Sequence, residues 1–222
     1  MPDQKWDLSL CEFAEKNLYT AVVSDSLDQL GMRHQAMREY LRPVHPKCKF
    51  AGWARTVACS DIYHIPEDPY SIEIEAVDSL LPGEAAVVGT QGSLRNAPWG
   101  ELLSTASKAR GARGAVVDGL VRDTGKIAEL EFPVFASGIK PVDSMGRGIV
   151  TAYNVPVEVG GVIVNPGDFV FADEDGIVVI PAPRVQEVID LAADKVRRED
   201  GSRAELMRGA YLRDVFKKFG VL

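Results

Sequence analysis

The chain has 222 residues, of which 46% are hydrophobic and 26% are charged, and its formal net charge is -7. This composition predicts a soluble globular protein with one large core. Nucleic-acid binding usually needs a positively charged surface that displaces the counterions of the phosphates. The net negative charge of this chain therefore argues against a nucleic-acid partner. The apolar runs are too short to cross a bilayer, and acids interrupt the N-terminal apolar segment, unlike in a signal peptide.

The first half of the chain predicts helices that alternate with buried strands. Residues 7–40 have helical patterning, with a glycine stop after TAVVSDSLDQL. Further along, the predicted strands are FAGWARTVAC, EAAVVG after a Pro-Gly turn, GAVVDGLV and FPVFASG. The predicted helices between them are DPYSIEIEAVDSL and GELLSTASKARG, and the second of these has small residues that suit close packing on a sheet.

After residue 155 the pattern changes to short alternating strands. Gly-Gly, Asn-Pro-Gly and Asp-Gly turns divide VPVEVGGVIVNPGDFVFADEDGIVVIP into hairpins. From Pro183 onwards, apolar residues at helical spacing predict an amphipathic helix. We therefore expect a single α/β domain over residues 1–222, with a mixed sheet and a C-terminal helical tail from about residue 183.

Cysteine and histidine usage argues against a dedicated zinc site. Cys11, Cys48 and Cys59 are odd in number and lack CxxC spacing, so a disulfide framework is not indicated either. The three histidines share no ligand spacing. Reduced thiols predict a cytoplasmic protein.

A candidate site lies in residues 99–123, WGELLSTASKARGARGAVVDGLVRD. A helix followed by a strand would bring the two ends of this stretch together. The free N–H groups of residues 100–103 would bind an anion at the helix start. Arg122 would follow the strand, where its guanidinium suits a carboxylate or enolate oxygen. Asp123 is a hard oxygen ligand for Mg²⁺ or Mn²⁺, and Glu101 would lie on the same rim.

Each of these residues also has a purely structural explanation. An Arg-Asp pair is common in surface ion pairs and turns, and the helix dipole alone favours an acid in the first turn. Gly100 would permit a tight turn. Asp118 is expected in a turn or as a support for Arg122. Residue chemistry alone leaves the functional and the structural interpretations open.

Three stretches, WGELLSTASKARGARGAVVDGLVRD, FPVFASG and GDFVFADEDGIVVIP, resemble the RraA-like family over residues 20–210. This family includes the class II 4-hydroxy-4-methyl-2-oxoglutarate/4-carboxy-4-hydroxy-2-oxoadipate aldolases. The resemblance implies a β/β/α sandwich, a homotrimer or homohexamer, and use of Mg²⁺ or Mn²⁺. It implies an enzyme that cleaves 4-hydroxy-2-oxo acids to pyruvate and decarboxylates oxaloacetate as a side activity.

The resemblance also assigns roles to individual residues. By motif, Asp123 would hold the metal, and substrate would be bound by Gly100, Glu101, Leu102, Leu103 and Arg122. Glu101 stands where the family often has Asp, and it would act through a metal-bound water. Glu199, in REDGSRAELMRG, matches a glutamate that reaches the metal-bound waters of a neighbouring subunit.

Two alternatives to the aldolase come from other functional classes. The same family contains non-catalytic regulators that inhibit ribonuclease E by protein contact. The complete set of Glu101, Arg122 and Asp123 favours the enzyme, because a pure binding module needs no metal ligand there. A methyltransferase is disfavoured, because no nucleotide-binding glycine pattern follows a first strand.

Overall fold

The computed structural model describes residues 6–221 of the chain. Its α-helices are α1 (Leu8–Asn17), α2 (Thr20–Gln29), α3 (Ser71–Asp78), α4 (Glu101–Ala109), α5 (Thr124–Leu130), α6 (Val185–Met207) and α7 (Leu212–Phe219). Its strands are β1 (Arg42–Pro43), β2 (Phe50–Asp61), β3 (Glu84–Gly89), β4 (Gly114–Val121), β5 (Val134–Ile139), β6 (Gly148–Tyr153), β7 (Val157–Val159), β8 (Val162–Val164), β9 (Phe169–Asp173) and β10 (Gly176–Ile180). Among the described helices, none is long and apolar enough to span a membrane.

One mixed sheet of eight strands organises the fold. Its strands follow the order β1-β5-β4-β3-β2-β9-β10, and β6 pairs with the C-terminal half of β2. Strands β2 to β5 are parallel to one another, while β1, β6, β9 and β10 pair antiparallel. Strands β3 and β4 are rich in Val and Ala and almost entirely buried, as expected for parallel strands covered on both faces.

The segment of residues 35–43, which ends in β1, connects the β10 side of this sheet to β5 on the other side. Near its start, the Met37 N–H donates to the Ile177 carbonyl and the Val179 N–H donates to the Gln35 carbonyl, each at 2.9 Å. At its end, Arg42 and Pro43 pair antiparallel with β5. The sheet is therefore nearly closed into a barrel.

Three clusters of buried side chains pack against the sheet. One lies between the sheet and the β7–β8 hairpin, and a second lies under α3, α4 and α5. The third joins β9 and β10 to α1, α2 and α6, and it includes the fully buried Phe169 and Phe171. Truncation of such a phenylalanine to alanine typically costs about 3–5 kcal/mol.

The predicted α/β fold with a mixed sheet is confirmed. The Gly-Gly turn also forms as predicted, with positive φ at both Gly160 and Gly161. The predicted helix over residues 7–40 is wrong at its C-terminal end, because α2 ends at Gln29 and the following residues pair with β10. Helix α5 and strands β1 and β6 were not predicted.

Candidate functional site

The start of helix α4 lies against the end of strand β4. Gly100 precedes the helix in an extended conformation and, as the N-cap residue, has no side chain of its own to cap the first N–H groups. The Arg122 N–H donates to the Trp99 carbonyl at 3.0 Å, and Trp99 bridges Val121 in parallel. These backbone contacts bring the two ends of residues 99–123 together, as the sequence predicts.

Arg122 and Asp123 approach Gly100 so closely that a side chain at this position would displace the Asp123 carboxylate. A Cβ atom at position 100 would lie 2.7 Å from Asp123 Oδ2 and 3.1 Å from Arg122 Cγ. The Glu101 N–H lies 3.4 Å from Asp123 Oδ2 and donates to it. The anion-binding end of the helix and the Arg-Asp pair therefore form one surface.

Asp123 has a left-handed backbone conformation, with φ 59° and ψ 31°. Asp tolerates this region better than most residues, at a cost of about 1 kcal/mol or more. The conformation lets the chain turn sharply from β4 into α5 while the carboxylate faces Gly100. Strain of this kind is often found where a side chain must be aimed at a ligand.

Arg122 lies between two carboxylates. Its Nε is 3.7 Å from Asp123 Oδ2, and its Nη2 is 3.1 Å from Asp143 Oδ1. Asp143 Oδ2 accepts hydrogen bonds from the Tyr70 hydroxyl at 2.6 Å and from the Met145 N–H at 3.2 Å. Burial alone would raise the pKa of Asp143, but these hydrogen bonds and Arg122 hold that pKa below its usual value.

Sequence reasoning missed Tyr70 and Asp143. Asp143 comes from the loop after β5, which ends beside the end of β4 at the same edge of the sheet. Polar residues that follow neighbouring parallel strands meet at that edge, and this rule would have drawn attention to PVDSMG. Tyr70 precedes α3, and the sequence carries no signal that joins it to Arg122.

The remaining residues of the predicted substrate loop divide into exposed and packed side chains. The Glu101 carboxylate accepts a hydrogen bond from the Thr105 hydroxyl at 2.7 Å. Leu102 is 76% exposed, whereas Leu103 packs against the cluster under α3 to α5. An exposed leucine on this rim is available to contact a ligand or another subunit.

Glu199 lies on helix α6, where the Tyr19 hydroxyl donates to its carboxylate. Burial is the main cause that raises the pKa of this carboxyl. Within residues 6–221 no hydrogen bond or ion pair joins Glu199 to Arg122 or Asp123. One chain by itself does not bring Glu199 into the site, and its action on a neighbour stays a prediction.

Asp118 does not contact Arg122. Its carboxylate accepts hydrogen bonds from the Tyr40 hydroxyl and the Gly160 N–H, each at 3.0 Å, and it lies 3.4 Å from the Ser137 hydroxyl. Asp118 therefore anchors the β7–β8 hairpin to the sheet.

The donor set around Asp123 suits a metal that keeps most of its water. No group of three or more His, Cys, Asp or Glu side chains in residues 6–221 could hold a metal ion. The Asp123 side chain is 47% exposed, and its Oδ1 makes no hydrogen bond within the described chain. One hard carboxylate on an open rim fits Mg²⁺ or Mn²⁺, which complete their coordination with water and substrate oxygens.

Comparison with known proteins identifies relatives of this chain. The family described as Aldolase/RraA, RraA-like, matches residues 20–179. A Halalkalibacterium halodurans protein, provisionally named 4-hydroxy-4-methyl-2-oxoglutarate aldolase, is 31% identical over 180 residues, which cover 81% of this chain and 80% of the relative. DlpA of Legionella pneumophila is 30% identical over 178 residues, or 78% of this chain. The chain spans only 28% of the length of DlpA.

A solved structure supports the same relationship. Streptomyces coelicolor RraAS2, described as an unusual member of the RNase ES inhibitor RraA protein family, superposes with a TM-score of 0.79. It is 31% identical, and the match covers 91% of this chain and 99% of RraAS2. The RraA-like type of fold predicted from the sequence is confirmed.

Proposed function

Because the chain belongs to the RraA-like family, we propose that it is a divalent-metal-dependent lyase that cleaves 4-hydroxy-2-oxo acids to pyruvate. The observation that supports this most is the convergence of three features on Gly100. They are the start of α4, whose N-cap residue is a glycine, the guanidinium of Arg122 and the carboxylate of Asp123. Together they offer an anion cradle, a donor for a developing negative charge and a metal ligand.

Asp123 would hold the Mg²⁺ or Mn²⁺ ion, and Glu101, whose backbone N–H donates to the Asp123 carboxylate, would act through the water around it. When bound, the metal supplies positive charge that polarises a ketone oxygen. The backbone N–H groups at the start of α4 bind the substrate carboxylate.

Arg122 carries the main electrostatic role in the proposed reaction. Its guanidinium donates to the oxygen that becomes negative as the C3–C4 bond breaks, and this stabilises the enolate. Glu101, acting through a water, removes the proton of the 4-hydroxyl group. Loss of CO₂ from oxaloacetate leaves the same enolate, so oxaloacetate decarboxylation is expected as a side activity.

A direct test measures pyruvate release from 4-hydroxy-2-oxo acids and from oxaloacetate, with Mg²⁺ and with excess chelator. We expect chelator to abolish activity and added Mg²⁺ or Mn²⁺ to restore it, because a single carboxylate holds the metal loosely. Asp123→Asn should need far more metal, whereas Asp78→Asn, in an exposed ion pair with Arg110, should behave as wild type. Full turnover in excess chelator would refute the metal requirement.

The proposal includes a homotrimer or homohexamer in which Glu199 acts on a neighbouring subunit. Large apolar side chains exposed on the described chain support an assembly: Leu102, Ile139, Met207, Tyr211 and Phe216. Arg122→Ala and Glu199→Ala subunits should each be poorly active, and mixed oligomers should recover part of the activity. If hetero-oligomers form and no activity returns, Glu199 does not act between subunits.

A second candidate function is a regulator that binds and inhibits a ribonuclease. The similarity to RraAS2 supports it, since that structure is described as a member of an RNase ES inhibitor family. Addition of the chain to a purified ribonuclease E would separate the two candidates. Inhibition that persists in Arg122→Lys, with no pyruvate release by wild type, would favour the regulator.

A further inference from the structure

The side of Arg122 that faces away from Asp123 is lined by residues of two other segments. Tyr70, immediately before α3, and Asp143, in the loop after β5, form a hydrogen bond of 2.6 Å. Asp143 then contacts the Arg122 guanidinium at 3.1 Å. Tyr70 and Asp143 thus form a second set of contacts to Arg122, and neither residue has a role in binding the metal or in the anion site at the start of α4.

Glu73 belongs to the same group. It lies in the first turn of α3, three residues after Tyr70, so both side chains project from the same side of the chain. Its carboxyl group is half-buried and makes no hydrogen bond or ion pair within residues 6–221. It lines a small cavity together with Asn96 and Ser144, and the space of about 20 Å³ is enough for one water molecule.

The surroundings of Glu73 and Asp143 shift the pKa values of their carboxyl groups in opposite directions. Burial and the negative charge of Asp143 raise the pKa of Glu73 to about 7, although Arg122 opposes this shift. The other titratable groups that face it are Tyr70, Cys59 and Asp61, of which Cys59 and Asp61 line the same cavity. Two nearby carboxyl groups whose pKa values are pushed apart are typical of an acid paired with an ionised partner.

We propose that α3 and the loop after β5 form a second half of the site, in which Asp143 positions Arg122 and Glu73 carries the proton delivered to the product. This inference rests on the proposed lyase function. When the C3–C4 bond breaks, its electron pair becomes that of the enolate. A proton from the Glu73 carboxyl group, passed through a water molecule, then bonds to C3 and gives the methyl group of pyruvate. The proton lost by the 4-hydroxyl group returns to the Glu73 carboxylate through solvent, so no net proton is consumed.

Exchange of the pyruvate methyl protons in D₂O, followed by NMR, tests this role. Exchange runs the proton transfer in reverse and needs the Glu73 carboxylate as base. In the wild type the rate should therefore rise with pH through about 7 and then level off. Glu73→Gln should lower the rate by roughly 100-fold and remove this pH dependence, because general acid–base catalysis contributes about 10²–10⁴-fold.

A matched control uses Glu75, which lies on α3 as Glu73 does. The Tyr153 hydroxyl donates to Glu75 at 2.8 Å, a bond similar to that of Tyr70 with Asp143. Tyr153→Phe should leave exchange unchanged. Tyr70→Phe should slow it and lower kcat more than it raises KM, since Arg122 loses its support.

A second measurement does not depend on turnover. In ¹³C-glutamate-labelled protein, the Glu73 signal, assigned with Glu73→Gln, should titrate near pH 7 and move to lower pH in Asp143→Asn. A wild-type protein that neither releases pyruvate nor exchanges its protons would overturn the proposed function. An active wild type with a Glu73→Gln variant of equal rate and pH profile would overturn this inference alone, as would a Glu73 that titrates near pH 4.

Discussion

Two arginine–carboxylate clusters lie at opposite ends of the parallel strands. They differ in how many hydrogen bonds the arginine makes. Arg55 and Glu84 are 7% and 3% exposed, at the edge where β3 begins. Arg55 donates to both Glu84 oxygens at 2.9–3.1 Å, and its other N–H groups bond to Ser79. Glu84 also accepts from the Trp6 indole and the Leu81 N–H.

Arg122 lies at the opposite end of the parallel strands, where β4 ends, and its side chain is 38% exposed. Its guanidinium contacts two carboxylates but makes no aligned hydrogen bond to the chain described, residues 6–221. A guanidinium has five N–H donors, so those of Arg122 remain available to a ligand. An arginine–carboxylate pair is thus structural where its hydrogen bonds are complete and suited to binding where they are not.

The largest effect is expected at the buried cluster. Arg55→Met would leave Glu84 buried without its partner, which typically costs about 3–5 kcal/mol of unfolding free energy. The matched control is Arg110→Met, which breaks the exposed pair with Asp78 and should cost less than about 1 kcal/mol. Urea unfolding of both variants measures the difference. Equal losses would show that completion of the hydrogen bonds at Arg55 does not matter for stability.

The next effect is on activity and not on stability. Arg122→Lys keeps the charge but loses the planar donor geometry, so kcat should fall roughly 100-fold. The unfolding free energy should change by no more than about 0.5 kcal/mol, because the residue is at an open rim. Arg110→Lys should leave pyruvate release unaltered. A Lys variant at position 122 with wild-type turnover would make the guanidinium an ion-pair partner only.

The smallest effect is expected from Gly100→Ala. The backbone conformation suits alanine, but the added Cβ would lie 2.7 Å from Asp123 Oδ2 and would displace that carboxylate. That carboxylate is half-exposed and can move, so stability should fall by only about 1 kcal/mol. A shift of the metal ligand should reduce kcat about tenfold and raise the Mg²⁺ concentration for half-activation. An unchanged Mg²⁺ requirement would count against Asp123 as the ligand.

Sequence reasoning identified the contacts that form between residues close together in the chain. The site residues from Gly100 to Asp123 belong to one helix–strand unit, so their meeting follows from local structure. Asp143 and Glu73 come from separate segments, and only the pairing of β4 with β5 brings the loop after β5 to Arg122.

The incorrect helix has a similar cause. Gly31, with a positive φ of 78°, ends the helical region as the glycine pattern indicates. The residues beyond it take their hydrogen bonds from distant partners, as when the Arg38 N–H donates to the Gly160 carbonyl. A window of local sequence contains no information about such partners.

The segment of residues 35–43, which connects β10 to β5, also sets an order of events during synthesis on the ribosome. Gln35 and Met37 form hydrogen bonds with Val179 and Ile177, and Thr20 forms hydrogen bonds with Asp173. These N-terminal residues can therefore reach their native positions only after most of the chain has emerged. Until β9 emerges, the edge of β2 that pairs with it is uncovered and open to pairing with other chains. A nascent chain stalled before residue 176 would be a substrate for chaperones, while its helix–strand units could already be formed.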